Sequence, residues 1–234
     1  RPSSALLSWQ MEYMDLIGAN NESLAELNGE GVVVCVVDSG VDLDHPDLRG
    51  VELRGWRDSI NGIEEPYDDE GHGTAMTGII VSDGGLDGVA KGVELLVAKA
   101  INDEGQGTDG TVSDSVDWCV QQGADIISLS LGGSQSFGSD FFTTDELEQS
   151  VDDALDSGVF VVSSAGNDGE DDDGDVGSPG SVEGVICVGG ITRSGSIWSG
   201  SSEGDNDGRL WPNPILPRSD PDKKPEIVAP GHEV

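Results

Sequence analysis

Basic side chains are scarce in this 234-residue chain: 11 Lys and Arg stand against 46 Asp and Glu, a net charge of −35. Binding to phosphate backbones needs a basic face, so nucleic acid is excluded as a partner. The acidic excess runs along the whole length and reads as a solvated surface of the kind that stays soluble at high salt. A calcium-rich setting outside the cell is the second reading. No apolar run approaches the ~20 residues of a membrane span, and there is no secretory apolar core. Cysteine is nearly absent, with Cys35, Cys119 and Cys187 all inside apolar or helical patterns. An odd number in such places reads as small buried hydrophobes, not as a disulfide framework or metal site. Compartment is therefore not encoded in them. The first residue is Arg1, so the true start, and any leader, is expected upstream.

What is plentiful is glycine, 35 residues, alongside a hydrophobic fraction of 35%. That combination describes a loop-rich globular protein long enough for one large α/β domain or two small ones. The segment Val32–Leu48, VVVCVVDSGVDLDHPDL, organises the rest. Its first residues are β-branched and lack helical spacing, which reads as a strand buried on both faces. It stops at Asp38-Ser39-Gly40. In open parallel sheets, ligands and chemistry gather outside the carboxyl ends of the strands. An Asp in that place is a site candidate, although an Asp also starts turns through its own side chain.

Residues 1–30 have helical tendency, with Leu6, Leu7, Met11, Met14 and Ile17 spaced for an apolar face. Residues 49–70 read as polar and irregular, with Glu64, Glu65, Asp68, Asp69 and Glu70 crowded into their end. Gly71-His72-Gly73-Thr74 then opens a short buried helix running to Val81. A strand at 93–100, an amphipathic helix at 112–122 and a buried strand at 125–131 follow. The next helix, 143–156, places Leu147, Val151, Ala154 and Leu155 on one face, and strands at 159–163 and 185–189 come after it. Residues 194–225 are rich in Gly, Pro and Asp. Such alternation implies a parallel sheet with helices on both faces, and right-handed crossovers put the strand ends on one side. There Asp38, the turn Ser130-Leu131-Gly132-Gly133 and the turn Ser164-Ala165-Gly166-Asn167 converge, with His72 at a helix start nearby.

These residues resemble the subtilisin-like serine proteases. Asp38-Ser39-Gly40 with His45-Pro46-Asp47-Leu48 is similar to the family's acid motif, and Gly71-His72-Gly73-Thr74 to its histidine motif. SLSLGG at 128–133, Ala165-Gly166-Asn167 and KPEIVAPG at 224–231 match three further segments in the family's order. The resemblance covers about residues 24–234. It implies a three-layer fold, with a mostly parallel β-sheet and helices on both faces, forming a single domain over 1–234. It also implies an endopeptidase with an Asp-His-Ser triad acting on polypeptides. Asp38 would orient His72, His72 would act as general base and then acid, and Asn167 would donate to the oxyanion. Edges near Gly105 and Gly107, and at Ser130, Leu131 and Gly132, would hold an extended peptide as an added strand. Ala165 and Gly166 would wall the pocket for the side chain before the cut bond. Family resemblance also implies an extracellular or cell-envelope location.

The departures set further expectations. The family's nucleophile lies in a Gly-Thr-Ser motif after the APG segment, yet here Gly-Thr occurs only at 73–74, 107–108 and 110–111, never followed by Ser. The chain is therefore expected to be a C-terminally incomplete piece of an active protease, poorly stable and inactive by itself. A non-catalytic scaffold or gene remnant, binding peptides at most, is the alternative. Ala75 stands where many relatives have a second histidine. No cofactor is required and no metal site is assigned: Asp47 matches one calcium ligand of the family, but Ser82–Val89 is shorter than the loop that completes that site. Asp168–Asp175 reads as a solvated acidic loop before a calcium loop. A two-carboxylate protease, suggested by a second Asp-Ser-Gly at Asp156, is set aside because Asp156 precedes its strand.

Overall fold

A computed structural model describes residues 4–24, 26–132, 146–169, 176–204 and 224–232. Helix α1, Ser4–Leu16, leads through a short 3-10 turn to strand β1, Val33–Asp38. Strand β2 is Leu53–Asp58 and helix α2 is His72–Val81. Strand β3 is Glu94–Lys99, helix α3 Asp109–Gln121 and strand β4 Ile126–Leu129. Helix α4, Glu146–Asp156, precedes strands β5, Phe160–Ser164, β6, Ile186–Ile191, and β7, Ile227–Pro230. The strands form one sheet in the order β2-β3-β1-β4-β5-β6-β7, and every pairing is parallel. This is the expected three-layer α/β architecture.

β1 is an interior strand, flanked by β3 and β4, with all six residues buried, which explains its unbroken apolar composition. Side chains alternate along it. Val33, Cys35 and Val37 face a core shared with α3 and α4, built from Leu96, Val116, Ile127, Leu129 and Val151 among others. Val36 faces the opposite layer, with Leu95, Val97 and Val81 of α2. α4 buries the face read from its spacing, Leu147, Val151 and Ala154, while residues 143–145 of the expected helix lie outside the described part. α3 starts on a capping box in which the Thr108 hydroxyl accepts the Thr111 N–H and Thr111 reciprocates.

Three expectations need correction. Residues 49–70 are not wholly irregular, because β2 pairs with β3 at the sheet edge. An edge strand is only half-buried, so Arg54 and Arg57 sit within it and mask the strand signal. β7 was hidden in the same way within the segment 224–231; it too is an edge strand, with Ile227 and Val228 about half exposed. Cys35 and Cys119 are not separate thiols. They form a disulfide joining β1 to α3 across 84 residues, with Cα atoms 5.9 Å apart. Only Cys187 remains free, and burial pushes its thiol up to about 12. α2 is also less enclosed than expected: Gly73, Thr77 and Val81 are buried, whereas Ile79 is about half exposed.

Candidate active site

The chain leaves β1 toward one edge of the sheet and leaves β4 toward the other. The carboxyl ends of these two neighbours therefore flank the switch point of the topology, where open α/β sheets hold their ligands. Asp38 is the last residue of β1 and only 2% exposed. His72 is the first residue of α2 and half-buried. His72 Nδ1 and Asp38 Oδ1 are 2.8 Å apart, and the Ser39 N–H also donates to that oxygen at 2.7 Å. Among the described residues, Asp38 Oδ2 has no hydrogen-bond partner.

This contact depends on how the segments before and after it are zipped together. Val41 N–H donates to Tyr67 O, and Gly40 bridges Asp68 in an antiparallel pair. Gly40 has φ of 124°, and a Cβ there would lie 2.0 Å from Tyr67 O. Gly73 has a different reason: its Cβ would lie 2.3 Å from Gly40 O, so only glycine lets the first turn of α2 reach the Asp38 turn. The Ser39 hydroxyl stands between them, accepting the Gly73 N–H at 2.8 Å and donating to Asp68 Oδ1 at 2.9 Å. Asp68 further accepts from Gly71 N–H, Thr74 N–H and the Thr74 hydroxyl. Burial pushes the Asp68 carboxyl up, but these donors outweigh it and hold the group below its ordinary value.

The His72 imidazole is held above its ordinary 6.5, chiefly by the bond to Asp38; burial opposes this, and the nearby Glu70 and Asp68 charges add to the rise. Its Nδ1 is the nitrogen that faces the carboxylate, so Nε2 is the one available for proton transfer. Among the described residues Nε2 has no partner. Such a pair can orient an imidazole, take a proton from a hydroxyl and return it to a leaving group.

The remaining expected residues lie at the same end of the sheet without touching the pair. Ser130, Leu131 and Gly132 follow β4, and Gly133 is outside the described residues. Ala165 and Gly166 follow β5, where the Gly166 carbonyl accepts the Ser202 N–H. Asn167 is exposed in the bend beyond, and no side-chain bond among the described residues engages it. Gly105 and Gly107 lie exposed in the loop between β3 and α3. Asp156, in contrast, ends α4 ahead of β5, at the opposite end of the strands.

Among the described residues no group of three or more His, Cys, Asp or Glu side chains gathers as around a metal ion. Asp47 Oδ1 accepts the Gly85 N–H instead, and Lys91 bridges Asp83 and Asp87 in the same loop. Residues 170–175 of the acidic loop lie outside the described part. No helix among the described residues is long and apolar enough to cross a membrane.

Sequence reasoning missed Ser39 and Asp68 as the link between the two motifs. Asp68 was visible only as one acid in a crowd; its distinguishing signal is its place four residues before His72, where it caps the entry to α2.

A groove of about 740 Å³ runs along α2, with Gly71 and Thr74 but not His72 itself in its wall. Tyr13 and Met14 of α1, Ile17 just after it, Ala75 and Ile79 of α2, and Ala229 of β7 line it.

Residues 29–234 match the model of the subtilase family. The chain is 36% identical over 217 residues to the serine protease AprX of Bacillus subtilis (strain 168), covering 88% of this chain and 47% of that protein. It is also 36% identical to an intracellular serine protease of Paenibacillus polymyxa over 187 residues, 76% of this chain and 55% of that one. A crystal structure of a cold adapted subtilisin-like serine proteinase superposes with a TM-score of 0.69 at 29% identity, covering 88% of this chain and 65% of its own. The chain thus spans about half the length of these two curated relatives.

Proposed function

The chain belongs to the subtilase family, and from that premise we propose that it supplies the acid–base half of the active site of a serine endopeptidase. Asp38 is the orienting acid and His72 the general base that becomes the general acid. The observation that carries this is the 2.8 Å contact between His72 Nδ1 and an Asp38 that is almost fully buried at the end of β1. Asn167 donates its amide to the oxyanion, a contribution of about 10²–10³ in turnover. The polypeptide substrate lies extended along Gly105, Gly107, Ser130, Leu131 and Gly132, with Ala165 and Gly166 beside the side chain that precedes the cut bond.

The nucleophile comes from outside these 234 residues, which contain no Gly-Thr-Ser. The apolar groove between α1, α2 and β7 is consistent with a further segment packed along α2, since Gly71, Thr74, Ala75 and Ile79 are in its wall. The chemistry requires no cofactor. An extracellular or envelope location is compatible with the family, but two similar relatives are named as intracellular proteases, so location rests on other evidence.

A fluorophosphonate probe, which traps activated serines, tests the reading on the full-length gene product. Covalent labelling that disappears in His72→Ala is expected. No labelling of the wild type would favour a non-catalytic peptide-binding scaffold, and labelling that persists in His72→Ala would remove His72 as the general base.

A further inference from the structure

Lys99 is the largest fully buried side chain among the described residues, and its ammonium is unusual company for a sheet core. It ends β3 in register with Asp38 at the end of β1. Paired residues of parallel strands point to the same face, here the one covered by α2, where Val36 and Val97 pack one step earlier. The three ammonium protons have three acceptors: Ser39 O at 2.6 Å, Ile101 O at 2.8 Å and Asp69 Oδ1 at 2.5 Å. The Nζ also lies 5.0 Å from the centre of the Tyr67 ring.

Each of those partners belongs to a segment that builds the site. Ser39 directly follows the acid, Asp69 is three residues before His72, and Ile101 opens the loop that contains Gly105 and Gly107. Burying a cation costs several kcal/mol unless its protons and charge are matched, and here all are. Backbone carbonyls as two of the three acceptors mean that the side chain fixes main-chain positions, not only charge.

We infer that Lys99 is a positioning residue that ties the Asp38 turn to the loop carrying His72, and so sets the Asp38–His72 contact. This rests on the reading of those two residues as the acid–base pair. Through Asp69 it also holds the chain leading to Glu70, whose carboxylate accepts the His72 N–H at 2.7 Å. The charged groups facing His72 are Asp38, Asp68 and Glu70, and none of them is replaced by removing Lys99.

The test uses the full-length gene product and reads the Nδ1 proton of His72 by NMR, a signal that reports the bond to Asp38 whether or not the protein cleaves anything. In Lys99→Met, which keeps length and apolar bulk, the low-field Nδ1 resonance is expected to broaden or vanish in protein that is still folded. In the same variant kcat for peptide hydrolysis should fall by about 10²-fold with KM little changed, the size of effect that small misplacements have. Asp69→Ala removes the acceptor on the His72 loop from a half-exposed position; it should show the same change more weakly, and it serves if Lys99→Met does not fold. An unchanged Nδ1 resonance in folded Lys99→Met, or in Asp69→Ala where that variant has to stand in, would overturn the inference and leave Lys99 a core lysine. A wild type that shows the resonance but hydrolyses no peptide would count against the proposed function, while the resonance in the variants would still decide the role of Lys99.

Discussion

At the scale of single residues, one imidazole and the carboxylates around it set the pH behaviour. The bond to Asp38 raises the His72 value above 6.5, so its neutral, proton-accepting form prevails only at higher pH. The acid limb of kcat/KM is therefore expected above about pH 6.5, and Asp38→Asn should remove that upward displacement. The same shift stabilises the fold in the opposite direction. A histidine raised on folding contributes stability that is complete below about pH 6.5 and is lost as pH rises through its folded value. An NMR titration of His72 in wild type and Asp38→Asn checks the shift itself. Asp38 and His72 were legible in the sequence because each stands in a distinctive local pattern, an apolar strand ending in Asp-Ser-Gly and a Gly-His-Gly-Thr helix start. Ser39, Asp68 and Lys99 were not, because the contacts by which they join the two motifs, Ser39 with Asp68 and Gly73 and Lys99 with Ser39 and Asp69, span 29 to 60 residues of the chain. A serine in a turn, an acid among acids and a lysine at a strand end carry no local mark of such partners.

At the scale of elements, strand β1 is fixed twice. Hydrogen bonds pair β1 with β3 and β4, and the Cys35–Cys119 disulfide fastens it to α3 on the face away from His72. Closing a loop of 84 residues restricts the unfolded chain, so Cys35→Ala with Cys119→Ala should cost about 2–4 kcal/mol in urea denaturation. Alkylation of the unfolded, unreduced protein should modify Cys187 alone; modification of all three cysteines would show that the bond is absent. The sequence pattern pointed to buried cysteines, which is true of both, but proximity across the sheet and helix layers is invisible to spacing. β1, β3 and α4 were readable because each presents a regular apolar face to the core. The half-buried edges β2 and β7 were not, since their residues answer to solvent on one side and to the sheet on the other.

At the scale of the whole molecule, a net charge of −35 makes self-repulsion a standing cost of the compact state. Salt screens it, with a Debye length near 10 Å at 0.1 M and about 3 Å at 1 M. The melting temperature should rise steeply as potassium or sodium chloride is increased, and a flat response would remove the high-salt reading of the surface. The architecture places Asp38 and His72 at the switch point of a parallel sheet, in a chain of the subtilase family with an apolar groove along α2. The most direct measurement is peptide hydrolysis by the full-length gene product, compared between wild type and Asp38→Asn. Turnover by the wild type, with kcat lower in the variant by a factor on the order of 10⁴, is the expected result and the size such losses take in subtilisin-type triads. Equal turnover in the two proteins would contradict the assignment of Asp38 as the orienting acid of a catalytic triad.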